Sequence, residues 1–490
     1  MTVSFNQVPR DIRTAGVYAE VSNSMAGNFV AGNRTLIIAQ ATTAGVAELP
    51  VAISSKDQAT TQFGAGSHAA LMVAAFKEVN PFSELWVLPL QDSSGSVAAT
   101  DTITISGTPT APGALSLYIG TTLVQVAVAT TDTPTTIAAS VAVAVNAIKD
   151  LPCTAASALG VVTLTAKNKG SVGNSLQVSI NFLGAIAGQA LPAGLTVVIA
   201  DGATGSIDPV ISAKLPLIND MAVAFFAHPY ADTTSLDAFK TFLANRWTPM
   251  FNRDGHAFTA RSGTLSALQT FGAGRNDEFN SVIGLEAGNL TLPLVALGNF
   301  VGQAALSLGI DPARTLQTLP LYSVMPPKEQ DAFSQSTRNT LLKSGISTVM
   351  YNGGMAMIQR AITTYQTNAF GMADTSYLDV TTRATLSFYK QSVIALITSK
   401  YPRHKLAADG TNFGAGNAVV TPKAIRADLV AHARQLEQQG ILQNTDDFEK
   451  NIIVELDATD TNRVNVLLPP ILVNNLIVTA AKVEFRLNAA

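Results

Sequence analysis

The chain has 490 residues, enough for several domains, and 47% of them are hydrophobic while only 13% are charged, about half the usual share of roughly 25%. Such a surface must expose Ala, Thr, Gly and Ser, and the formal net charge of −3 supplies neither the basic field that nucleic acid requires nor a polybasic patch for a membrane. The single cysteine, Cys153, excludes an internal disulfide framework and a cysteine-based zinc cluster, and its Leu-Pro-Cys-Thr-Ala setting reads as a small buried hydrophobe.

The first ten residues lack the apolar stretch of a secretory signal, so assembly in a cytoplasm is expected. In residues 15 to 22, Val17, Ala19 and Val21 alternate with Tyr18, Glu20 and Ser22, the period of a half-buried strand. Residues 34 to 40 form a short apolar run typical of a buried strand, residues 66 to 79 have helical spacing, and residues 84 to 90 read as another strand. This order predicts an α/β layer.

Between Gly95 and Ala213 only 8 of 119 positions are charged, against 16 of 70 from Thr421 to Ala490. That interval alternates in Thr102–Ser106, Leu115–Ile119 and Gly160–Thr165 around one Ala-rich helix from Thr135 to Ile148. It reads as a small β-rich domain inserted in the α/β layer. Apolar and helical patterns resume at Ile218 to His228, and helices are predicted over Ser235–Trp247, near Lys328–Leu342 and over Tyr377–Ser399. The uncharged stretch from Ala287 to Ile310 is long enough to span a membrane, but Asn289, Asn299 and Gln303 within it favour a buried segment.

Pro422 and Gly440 frame a further helix. At 100° per residue, Ile425, Leu429 and Leu436 share one face while Lys423, Arg426 and Arg434 gather nearly opposite. This basic stripe is either a solvated face or a contact for an acidic partner. Behind Pro469-Pro470, residues 476 to 487 end with Val483, Phe485 and Leu487 alternating with Lys482, Glu484 and Arg486. A terminal strand with one apolar face needs a sheet edge, and that edge can belong to another molecule.

Catalytic signatures are missing. The histidines at 68, 228, 256, 404 and 432 show no metal-binding spacing, and neither a Walker A loop nor a Gly-x-Ser-x-Gly elbow occurs. Gly64-Ala-Gly66 matches half of a dinucleotide fingerprint and reads as a structural turn, and Asp277-Glu278 and Asp446-Asp447 read as solvated turns. No cofactor is expected.

Several segments in order, Asn80–Leu90, Gly255–Arg261, Asn339–Thr348, Ile362–Asp374, Tyr401–Leu406 and the C-terminal run from Asp460, resemble the contractile-tail sheath proteins of Mu-like bacteriophages nearly end to end. One departure is Thr14-Ala15-Gly16-Val17-Tyr18, where the family pattern usually reads Ile-Pro-Gly-Val-Tyr. The resemblance implies a non-enzymatic virion protein that stacks as hexameric rings around a tail tube and contracts to drive the tube through the host envelope during genome delivery. Its partners would be itself, the tube protein, and baseplate and tail terminator proteins, without nucleic acid or stable membrane insertion. It further implies a strand-donating arm at 1–24, a middle α/β domain at 25–94 and 214–326, an outer β-rich insert at 95–213, a sheath domain at 327–470 completed by neighbours' strands, and a second arm at 471–490. Val17, Tyr18, Val21, Val483, Phe485 and Leu487 would then pair between subunits, and Lys423, Arg426 and Arg434 would touch the tube. A contractile bacteriocin sheath is the alternative, and an α/β enzyme with a β-rich insert a more distant one.

Overall fold

The computed structural model describes residues 34–414, 416–485 and 487. The first strand, β1 (Thr35–Gln40), is buried at every position, as a strand covered on both faces must be. It is followed by β2 (Val51–Ile53), α1 (Lys56–Phe63), α2 (His68–Val79) and β3 (Leu85–Leu90). Ser55 and Ser67 cap the two helices by accepting from Gln58 N and Ala70 N, which satisfies donors that a helix start leaves free.

The chain then leaves the sheet. Strands β4 (Ala98–Gly107), β5 (Gly113–Ile119) and β6 (Thr122–Val128) precede α3 (Pro134–Ala147), and β7 (Cys153–Ala158), β8 (Val161–Lys169), β9 (Val178–Ile180) and β10 (Leu195–Asp201) follow. They form two antiparallel sheets, ordered β10-β4-β8-β7 and β6-β5-β9. Ile103 and Ile105 of β4 point inward and Thr104 and Ser106 outward, the alternation that one-sided burial imposes. Thr133 and Thr136 cap α3 reciprocally.

The main sheet resumes with β11 (Phe225–Ala227), α4 (Thr233–Trp247), β12 (His256–Gly263), α5 (Leu265–Ala273), β13 (Asn280–Glu286), α6 (Pro293–Ile310), α7 (Gln335–Lys343), β14 (Ile346–Asn352) and β15 (Met355–Arg360). Its order is β15-β14-β13-β12-β11-β1-β3-β2, with β1 parallel to both β3 and β11. The fold is therefore a doubly wound α/β sheet that changes winding direction between β1 and β11. The uncharged stretch near 300 is α6, largely buried. It presses on α2 through glycines: a Cβ on Gly298 would lie 2.5 Å from Met72 O, and one on Gly302 2.5 Å from Val79 Cγ2.

Two expectations need correction. The helix expected from Lys328 starts at Gln335, because Pro326-Pro327 and a turn onto Lys328 O come first and Ser334 supplies the cap by accepting from Thr337 N. The division expected at residue 326 falls inside the main sheet, since Val282 of β13 pairs in parallel with Ile346 of β14.

The C-terminal part comprises α8 (Val380–Lys400), β16 (Lys405–Leu406), β17 (Val419–Val420), α9 (Pro422–Gln438), α10 (Thr445–Asn451), β18 (Ile453–Leu456) and β19 (Val464–Leu467). Its own core gathers Tyr389, Ile425, Leu429, Ala433, Leu436, Leu442 and Phe448. The start of α8 docks on the main sheet. Arg360 holds Asp379 through two bonds of 2.9 and 3.0 Å, and the buried Arg383 guanidinium lies 3.8 Å from the Trp247 ring and 4.4 Å from Phe279. Asp254 accepts from Ser387 Oγ at 2.8 Å and from Lys390.

Gly298→Val should force α2 and α6 apart and destabilise the subunit by about 1–3 kcal/mol, read as a lower urea midpoint with an unchanged slope.

Candidate functional site

In a doubly wound sheet the default ligand crevice lies at the carboxyl ends of the strands flanking the change of direction. Here those ends carry Gln40, Ala41, Ala227 and His228, and the insert closes the space above them. The Gln40 side chain is fully buried and donates to Asp92 Oδ1 at 2.7 Å and to Lys169 O at 2.6 Å. Tyr230 Oη donates back to Gln40 Oε1 at 3.4 Å. Asn168, 1% exposed, accepts from His68 N at 3.0 Å and donates to Ala41 O at 3.2 Å, so a side chain of the insert caps the start of α2. The glycine turn before α2 serves the same junction: a Cβ on Gly66, at φ +75°, would lie 2.1 Å from Leu151 O. The half fingerprint is thus a point of close approach between insert and body.

The titratable groups are dispersed. His68, His228 and His256 are buried in separate places, and burial lowers the first two to about 4 and the third, with the Arg383 charge adding to it, to about 3. His256 Nε2 shares a 2.8 Å hydrogen bond with Ser281 Oγ. Burial pushes the Cys153 thiol up to about 12 against the pull of Lys167, which makes it a packing residue rather than a nucleophile. Among the described residues no group of His, Cys, Asp and Glu is placed to hold a metal.

Two surfaces remain. On α9, Ile425, Leu429 and Leu436 are buried, Lys423 and Arg434 are exposed, and Arg426 is half-buried. The predicted basic face exists, but it is partly engaged by a residue that helical period does not single out. Glu449 of α10 binds Arg434 Nη2 through Oε2 at 2.6 Å, and its backbone carbonyl accepts from Arg426. Lys423, Arg426 and Arg434 border an open groove of about 670 Å³ whose walls include Leu396, Val430 and Ala431. Acidic residues a few positions past Gly440, in a segment with its own apolar Phe448, were the available signal for this second helix.

The second surface is the chain end. β18 and β19 form an isolated two-stranded ladder. The chain then crosses back, with Gln443 N donating to Ile471 O at 2.9 Å and Val473 N to Ile441 O at 3.2 Å. Beyond Asn475, held on Thr381 Oγ1, residues 476–485 form no strand among the described residues. Val483, Phe485 and Leu487 are 86%, 79% and 89% exposed. The predicted strand at 15–22, with Val17, Tyr18 and Val21, lies outside the described residues.

Comparison with known proteins decides the family. Residues 209–364 match the model of the phage tail sheath protein central domain and residues 372–486 that of the phage tail sheath C-terminal domain. The chain is 37% identical over 492 residues to the Mu-like prophage FluMu tail sheath protein of Haemophilus influenzae, covering 99% of this chain and 100% of that protein. The chain belongs to the phage tail sheath family. It is thus a structural component of a virion tail. In fold it is similar to a chain in the cryo-EM structure of the anti-feeding prophage baseplate (11% identity, 97% of this chain and 100% of that one, TM-score 0.50). A crystal structure of a sheath tail protein from Desulfitobacterium hafniense aligns at 12% identity over 94% of this chain and 100% of that one, with a TM-score of 0.48. The two family matches begin at residue 209, and so leave out β1–β3, α1 and α2 as well as the whole β4–β10 insert of this tail sheath protein.

The buried histidines set an acid limit on the sheath subunit. Their folded values lie below the unfolded value near 6.5, so on acidification the unfolded chain takes up protons first, and stability present above about pH 6.5 is lost as the pH falls toward about 4. Urea midpoints at pH 7, 6 and 5 should fall steeply, and replacing His228 with Phe should flatten that fall.

Proposed function

We propose that this protein polymerises as stacked hexameric rings around a tail tube and contracts to drive the tube through the host envelope during genome delivery. It has no catalytic turnover and uses no cofactor. The observation that carries the reading is the exposed apolar face of Val483, Phe485 and Leu487 on a chain of the sheath family. A strand cannot leave its backbone groups and apolar face unpartnered in a stable assembly. The β18–β19 ladder offers matching edges, with Ile453, Val466 and Leu467 still 49%, 42% and 57% exposed. A two-stranded ladder is marginal by itself, so donated strands from neighbouring subunits would complete a small sheet there, with residues 15–22 acting as the second donor. The insert lies outward, away from the tube; its two self-contained antiparallel sheets support a place apart from the assembly machinery.

Lys423, Arg426 and Arg434 face the tube. The exposed ion pair of Arg434 with Glu449 supports a contact that can be exchanged, since such pairs contribute only about 0–1 kcal/mol each. The remaining partners are the baseplate and the tail terminator, and assembly proceeds in the host cytoplasm.

Truncation after Asn475, which keeps the contacts of Ile471, Val473 and Asn475 with their own chain, should give a folded subunit by circular dichroism that forms no tubes in electron micrographs. Phe485→Ala should leave the melting of the isolated subunit unchanged and weaken the polymer by about 3–5 kcal/mol per enclosed contact; a truncated chain that still polymerises would overturn strand donation. Reversing the charges of Lys423, Arg426 and Arg434 together should impair assembly on tubes and spare sheath-to-sheath contacts, as co-sedimentation with and without tubes would show.

A further inference from the structure

The loop between β15 and α8 is held more firmly than its exposure warrants. Asn368 Oδ1 accepts from Phe370 N at 3.0 Å and Met372 N at 3.1 Å, and Asn368 N donates to Met372 O at 2.9 Å. Below the tip, Asn276 Oδ1 accepts from Gln366 N and Thr367 N at 2.7 and 3.1 Å, and Asp374 accepts from Tyr365 Oη at 2.7 Å. Gly371, at φ +75°, lets the chain reverse. The result is a fixed tip of five uncharged exposed residues, Ala369 to Ala373, on which Phe370 is 90% and Met372 67% exposed.

An exposed aromatic on a mobile loop has little consequence. A pair of large apolar side chains carried on a backbone fixed by such hydrogen bonds has already lost the loop freedom that binding would otherwise remove. We propose that Phe370 and Met372 form an apolar prong that seats in a recess of a second copy of this chain. The inference rests on the self-assembly proposed above. Two features select another copy as the occupant. The tip carries no charge, so its contact is apolar burial, unlike the basic α9 face assigned to the tube. Enclosing the two side chains removes no more than about 500 Å², well below the roughly 800 Å² per partner of a stable pair. Such a contact matters only where every copy makes it at once, as in a polymer, and leaves the free subunit monomeric.

The test uses the full chain. The double variant Phe370→Ser and Met372→Ser should melt with the wild type, because neither side chain is packed, and should raise the protein concentration needed for tube formation by about tenfold or more, the factor an enclosed apolar side chain supplies. Phe370→p-benzoylphenylalanine should give, on irradiation of assembled tubes, a covalent dimer whose joined peptides come from two copies. Variant tubes forming at the wild-type concentration, or crosslinks only to the tube protein in co-assembled particles, would overturn the proposal. Failure of the wild-type chain itself to polymerise would remove the self-assembly reading and the prong with it.

Discussion

The polar junction between the insert and the main sheet is the constraint on which much of this molecule depends. Gln40, Asp92, Asn168 and Tyr230 meet at the place where a doubly wound sheet usually opens to a ligand, and all but Asp92 are almost completely buried. Buried polar groups of this kind are costly unless partnered, so body and insert each supply what the other lacks. One consequence is chemical: the fold keeps the architecture of an enzyme layer and has its customary crevice filled with its own backbone and amides. A second is structural, because α2 begins on a carboxamide from Asn168, 100 residues away in the chain.

Residues that follow a local rule are legible in the sequence. β1 and β3 carry uninterrupted apolar runs, residues 36–39 and 85–90, β4 and β8 alternate, and α9 is framed by Pro422 and Gly440. Where tertiary partners override local pattern, period is a poor guide. β12 and β13 contain His256, Thr259, Asn280 and Ser281, all buried; their polarity hides two central strands, between which His256 pairs with Ser281 across the sheet. β14 and β15 follow a break in pattern that suggests the start of the C-terminal unit, yet parallel pairing with β13 assigns them to the main sheet.

The same division applies to the surfaces. The basic side of α9 follows from helical period alone, whereas its engagement by Glu449 depends on α10 folding back beside it. The alternation of Val483, Phe485 and Leu487 is read from period alone, and the strand pairing proposed for it is not formed among the described residues. The prong proposed at Phe370 has no period. It is built from an Asn, a Gly and two carbonyl-directed turns, and only the three-dimensional arrangement distinguishes it from an ordinary polar loop.

α8 has a mechanical meaning beyond its packing. A helix of 21 residues is about 30 Å long, and its first three turns are fastened to the main sheet by Asp379, Arg383, Ser387 and Lys390. Its far end carries the core shared with α9. The helix is therefore a lever with a clamped root: a torque applied to the C-terminal unit by bound neighbours is delivered to the sheet around Trp247 and Asp254 rather than absorbed in a linker. The aromatic cage around Arg383 resists that torque without depending on ionic strength as a surface ion pair would.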